Sequence, residues 1–213
     1  MIYGPHRQKY YKLILITIVK SEGFILKDYH LNLSNLFNNH GILGENEPIN
    51  DSSFSLGISF YPAEHLPKYG EKFHWENTSF LFPTKTSEGF DNLTLDYQTI
   101  QVPKGKFTDL YILGSSNNGN FYDDVQLLFN NKIVYTFKLA LTEFVSETSW
   151  FGDPIVLECP FTRNKNLDLF SLQPKIYCHQ EQLPSNITFD EIKLGSNPFI
   201  HLFSITLRGE TIE

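Results

Sequence analysis

The chain of 213 residues is short of methionine (one), cysteine (two), charge (19%) and long apolar runs. Cys159 and Cys178 stand alone: His179 adjoins the second, but no further Cys or His lies at the spacing of a zinc site, which leaves that chemistry without support. The apolar run Leu13 to Val19 ends at Lys20 and is far too short to span a bilayer. It also lacks a small-residue cleavage pattern, so it reads as a buried first strand rather than a signal-peptide core. Basic clusters are missing too. A net charge of −7 with no stripe of Lys and Arg argues against a nucleic-acid surface and a polybasic membrane anchor, and leaves neutral ligands such as glycans as natural partners. No Gly-x-Ser-x-Gly elbow, His-Glu-x-x-His pair or Gly-rich phosphate loop is present.

Aromatic residues are abundant, with 19 Phe and 11 Tyr in a chain that is 41% hydrophobic, a balance that favours strands over helices. Short aromatic and β-branched runs at 24–33, 54–60, 78–82, 99–102, 107–113, 125–129, 133–139 and 199–207 read as strands. Turn signals separate them: Asn38-Asn39-His40-Gly41, Pro103-Lys104-Gly105, Asn117-Asn118-Gly119 and Asn130-Asn131, the last the clearest hairpin. Only Ser34 to Phe37 suggests a helical turn. The expectation is an all-β antiparallel β-sandwich, with residues 1–20 as a lead or edge strand and 21–213 as one sandwich domain.

Sugar recognition needs aromatic faces for apolar CH surfaces and amides or carboxylates for hydroxyls, held on rigid loops. The residues that fit this pattern are Asn39, His40, Asn118, Tyr122 and Trp150, each with a competing structural role in corner or core. Asn118, Asn120, Asp123 and Asp124 supply oxygens for a calcium site, although adjacent Asp123 and Asp124 point to opposite faces if extended; a solvated acidic turn is the other reading. Cys159 and Cys178 lie in two β-type runs, which leaves open a cross-strand disulfide or two small buried apolar residues. A disulfide would imply an oxidising compartment or a hyperthermophile interior. Sequons at Asn32, Asn50, Asn77, Asn92 and Asn186 tilt the reading toward an extracytoplasmic surface. For a glycosidase, Glu64, Glu76, Asp91, Asp96 and Glu143 are available without any spacing that pairs them.

The order Phe37-Asn38-Asn39-His40-Gly41-Ile42, Tyr61-Pro62-Ala63-Glu64, Phe80-Leu81-Phe82-Pro83, Gln98-Thr99-Ile100, Pro103-Lys104-Gly105 and Leu110-Tyr111-Ile112-Leu113-Gly114 resembles a galactose-binding-like β-sandwich module. The segments Ile187 to Leu194 and Ile200 to Leu207 resemble its closing pair of strands. Such modules occur in bacterial and archaeal surface proteins and beside glycoside hydrolases. The resemblance implies a jelly-roll topology and a non-catalytic carbohydrate-binding or surface-interaction module, with a glycan or protein partner and an oligomer allowed. A structural or assembly protein, such as an envelope or virion component, and a glycan-active hydrolase are the alternatives.

Overall fold

The computed structural model describes residues 26–48, 53–56, 58–164, 167–185 and 187–211; the lead 1–20, with its Leu13 to Val19 run, lies outside the described residues. In chain order the strands are β1 (Lys27–His30), β2 (Ile42–Leu43), β3 (Ser59–Pro62), β4 (Lys72–Trp75), β5 (Thr78–Leu81), β6 (Leu93–Thr94), β7 (Thr99–Gln101) and β8 (Gly105–Ser116). There follow β9 (Phe121–Phe129), β10 (Lys132–Leu141), β11 (Ile155–Glu158), β12 (Thr162–Asn164), β13 (Asp168–Leu169), β14 (Lys175–Gln182), β15 (Glu191–Lys193) and β16 (Ile200–Thr211). A single 3-10 turn at Ser34–Leu36 matches the one helical signal in the sequence, and a second forms at Ala63–His65.

The all-β antiparallel sandwich is what the chain forms, built around a central sheet ordered β1-β16-β8-β14-β11, with β6 on β16. A second sheet, β10-β9-β15-β7, shares one apolar core with it, while β13-β12-β3-β2 and the β4-β5 hairpin cover its other face around a second core. Every named pairing is antiparallel except β2 with β3.

The central strand β8 explains its own composition. Leu110 and Ile112 enter the core shared with Val125, Leu127, Leu139 and Ile192, whereas Tyr111 and Leu113 enter a second core with Phe54, Tyr61, Phe80, Phe82 and Phe203. Both faces are covered, so the run is apolar without alternation. On β16 a bulge between Leu202 and Ser204 shifts the phase. It lets Ile200, Leu202, Ile205 and Leu207 all reach the first core while Phe203 reaches the second, because one extra residue exchanges the faces of everything beyond it.

Close approach of β8 and β16 requires glycine at position 114, where a Cβ would collide with the His201 carbonyl oxygen and stand 2.7 Å from Leu141 Cδ1. Gly114→Ala is expected to lower stability by about 1–3 kcal/mol, read as a lower urea midpoint at unchanged slope.

The Asn130-Asn131 hairpin forms as read, with φ of 50° and 61°, the left-handed pair that a two-residue turn between twisted strands demands. The expected strand 54–60 is corrected: Ile58 has φ 55° and its N–H donates to the Ser55 carbonyl at 3.0 Å, so Phe54, Ser55, Leu56 and Ile58 lie outside any strand and pairing begins at Ser59. The cysteines follow the second of their two readings, small buried residues. Both are free and buried, because the Cys159 N–H bonds Pro174 O while Cys178 sits four residues further along β14 opposite Leu113, out of register for a bridge. Burial pushes each thiol up to about 12.

Candidate functional site

The segment from Thr142 to Pro154 leaves β10 and returns to β11, and internal hydrogen bonds fix it. The buried Asp153 carboxylate accepts from the Thr142 N–H (2.8 Å), the Thr142 hydroxyl (2.6 Å) and the Ser149 hydroxyl (2.5 Å). Thr142 Oγ1 in turn accepts the Trp150 N–H at 2.8 Å. Gly152 takes φ 78°, a left-handed value at which L side chains are strained. At the other end the Phe144 N–H reaches Ser116 O at 2.8 Å, the Glu143 N–H reaches Asn120 Oδ1 at 2.9 Å, and Lys175 N–H reaches Phe144 O at 2.6 Å. The loop is therefore anchored to β8, β14 and the β8–β9 turn, yet it turns large apolar rings outward: Trp150 is 73% exposed and Phe151 38%.

Beside Phe151 opens a cleft of about 390 Å³ lined by Ala140, Gly152, Asp153, Cys178, His179 and Gln180, among others. His179 stacks on Phe137 (centroids 5.6 Å apart, planes 16°), and its Nε2 has no hydrogen-bond partner, the nearest charged atom being Glu181 Oε2 at 3.8 Å. Burial lowers the His179 pKa, outweighing Glu181 and the Ala140 backbone, so the ring is neutral near pH 7. The unpaired Nε2 is buried, so it is the exposed Gln180 beside it that presents a polar side chain to the cleft. Tyr122, 59% exposed, pairs across the ladder with Ala140, so Tyr122 and Trp150 flank the same end of β10. The Lys138 ammonium lies 5.2 Å from the Tyr122 ring centre.

The larger cleft at the Asn-rich corner, about 530 Å³, is lined by Asn39, Phe54, Leu56, Ile58, Asn117, Phe199 and His201, and its polar groups are already matched to one another. Asn118 Nδ2 donates to Asn117 Oδ1 (2.6 Å), Asn117 Nδ2 to His201 Nε2 (2.6 Å) and to Phe54 O, and His201 Nδ1 to Asn92 Oδ1 (2.8 Å). Asn92 Nδ2 completes the relay on Asn39 Oδ1 (3.2 Å) and Asp91 Oδ1 (2.9 Å). The direction of the chain fixes His201 as the Nδ1–H tautomer, and burial depresses its pKa to about 3. His40 is 1% exposed, with Nε2 donating to Ile42 O at 2.9 Å.

The structure thus divides the five expected ligand residues. Tyr122 and Trp150 flank one end of β10 with their rings exposed; Asn39 and Asn118 are engaged at the corner by Ser53, Asn92 and Asn117, and His40 is buried with Nε2 on Ile42 O and Nδ1 unpaired. The four residues expected to hold calcium have partners of their own. Asn118 bonds Asn117, Asn120 holds the Glu143 amide, Asp123 caps the Asp124 N–H and abuts Gly195, and Asp124 pairs with Lys138 at 2.7 Å. Among the described residues no group of three or more His, Cys, Asp or Glu is placed to hold a metal. The sequon asparagine Asn92 is sealed in the relay at 0% exposure. His179 and Asp153 went unselected in the sequence; the run Trp150-Phe151-Gly152-Asp153-Pro154, an aromatic pair closed by turn residues, is the signal that marks the second of them.

Among the described residues no helix is long and apolar enough to cross a membrane. No curated protein matches the chain. The family model for the AziU2-like beta-sandwich domain matches residues 29–211, from within β1 to the end of β16, and the chain belongs to that family.

Proposed function

We propose that the chain is a non-catalytic binding module that takes a carbohydrate on the Trp150–Phe151 face, in the manner its galactose-binding-like resemblance suggests. The observation that carries this reading is a solvent-exposed indole on a loop held by internal hydrogen bonds, beside a cleft lined by Phe151 and Gln180. An aromatic platform held rigid before binding loses little entropy when a sugar ring stacks on it, and the adjoining exposed Gln180 offers hydrogen bonds to its hydroxyls. Tyr122 extends the aromatic surface along the end of β10.

The hydrolase alternative has less support. Of the carboxylates available to it, Asp91 is sealed from solvent, and Glu64 is clasped by Arg163 at 2.6 and 3.0 Å, which outweighs burial and holds its carboxyl below the usual range. The assembly alternative draws on the β9–β10 tip, where a bulge between Ile133 and Tyr135 leaves Phe129, Ile133 and Val134 exposed together.

A glycan-array screen of the purified chain, repeated with Trp150→Ala, tests the reading. Selective binding that the substitution weakens by about tenfold or more is the expected result. A blank array together with a defined oligomer in sedimentation would favour protein assembly instead.

A further inference from the structure

The geometry points to a second binding site, for a small oxyanion such as a phosphate monoester or a carboxylate, in the groove between β1 and the β4–β5 hairpin. This groove of about 470 Å³ is lined by Leu26, Lys27, Asp28, His30, Lys72, His74, Asn77, Ser79 and Arg208. Lys72 and His74 alternate on one face of β4, and His74 pairs directly across the ladder with Ser79. From β1, His30 Nε2 reaches the Ser79 hydroxyl at 3.0 Å. Three basic side chains from two elements therefore surround one serine.

The balance of charge in the groove decides its sign. Its single acid, Asp28, accepts from Arg208 Nε (2.9 Å) and Nη2 (3.3 Å) and from the Ser79 N–H (2.7 Å), so Asp28 and Arg208 neutralise each other. Arg208 is further occupied by Asn77 O, Thr78 Oγ1 and the Tyr111 hydroxyl. Lys27 and Lys72 have no ion-pair partner among the described residues. Glu71 and Glu76 bracket β4 and Asp109 opposes Arg208 from β8, but none of the three lines the groove. Burial lowers the His30 pKa first, and the charges of Lys72 and His74 lower it further, in keeping with positive charge gathered at this point. On a chain of net charge −7 this is a local reversal of sign, in a concave site that Asn77 also lines, the Ser79 hydroxyl being already engaged by Asp28 Oδ2 at 3.2 Å and by His30. An anion entering it gains charge-assisted hydrogen bonds from the unpaired Lys27 and Lys72.

The site is separate from Trp150, so its test is independent of the glycan reading. Amide and imidazole resonances are followed while inorganic phosphate, and in a second arm acetate, is added to the full chain, with sodium chloride at matched ionic strength as reference. Saturable shifts at Ser79, His30 and His74 are expected, weakened about tenfold or more by Lys72→Glu and unchanged by Trp150→Ala. Saturation by phosphate alone assigns a phosphate-type ligand, and saturation by acetate alone a carboxylate; each supports the site. Lys72 is exposed, so an unaltered thermal midpoint verifies that the variant is folded. Shifts that only track the chloride series, or that Lys72→Glu leaves unchanged in a folded variant, overturn the proposal.

Discussion

Asp91→Ala is expected to destabilise the protein by about 3–5 kcal/mol, although the residue touches no exposed surface. Its carboxylate accepts the Gly41 N–H at 2.8 Å, the Ile42 N–H at 3.1 Å and Asn92 Nδ2 at 2.9 Å, and its own exposure is 0%. Alanine would leave three buried donors facing an apolar void, each costing roughly 1–3 kcal/mol before relaxation. Relaxation is restricted here, because a Cβ built on Gly41 would already meet Asn92 Nδ2 at 2.6 Å and Phe54 Cδ2 at 2.8 Å. Asp91→Asn keeps one acceptor but turns an amide toward a backbone N–H, so it should fall between alanine and wild type. Urea unfolding measures all three. A loss below about 1 kcal/mol for alanine would mean that the corner is held by its apolar packing and not by this carboxylate.

The pH dependence of stability should change in opposite directions when two members of the corner relay, His201 and Asp91, are replaced. His201 has its pKa depressed to about 3 by burial, against an ordinary 6.5. Between those values the unfolded chain holds a proton that the folded chain refuses, so this residue lowers stability as pH falls. Asp91 is the reverse: burial raises it from 3.8 to about 7 against the pull of its hydrogen bonds, so the folded chain holds the extra proton and stability rises as pH falls from 7 toward 4. At about 1.4 kcal/mol per unit, the two contributions between pH 7 and pH 4 are each on the order of 3–4 kcal/mol and nearly cancel. Removing Asp91 as Asp91→Asn exposes the His201 loss, and the variant should become steeply acid-labile. Removing His201 as His201→Gln exposes the Asp91 gain, so its stability relative to wild type should improve on acidification. The pKa values of His30, His40 and His179 are also lowered, first by burial, and steepen the acid limb in wild type and both variants alike; differences from wild type isolate the two groups of interest. Chemical denaturation at pH 7, 5.5 and 4 is the measurement. Parallel curves for all three proteins would contradict the account.

The sequence exposed those parts of the fold that depend on neighbours along the chain. Asn130-Asn131 announced its hairpin because only a few residue types tolerate two successive left-handed conformations, and the aromatic runs of β8, β10 and β16 announced strands. Phe54 misled for a physical reason: it is fully buried among Tyr61, Phe144 and Phe203, yet it enters that core from a turn, so aromatic content alone suggested a strand. The two-residue strands β2, β6 and β13 have too few residues to show any period. At the candidate site, Trp150 was legible because polar and turn residues surround an indole. His40 was not legible as an interior group, nor Asn39 as a member of the relay, since both depend on Asp91 and Asn92, some fifty positions away. The unpaired nitrogen of His179 likewise arises only when β14 brings it against Phe137 of β10.

The binding face is the central claim, and the chain supplies its own control: it has two tryptophans, Trp150 at 73% exposure and the half-buried Trp75 on β4. Titrating a glycan selected from the array while observing both indole N–H resonances compares them within one sample. The account predicts a saturable shift of the Trp150 indole, accompanied by His179, with Trp75 stationary. Movement of Trp75 alone, or binding in which neither indole responds, would contradict it.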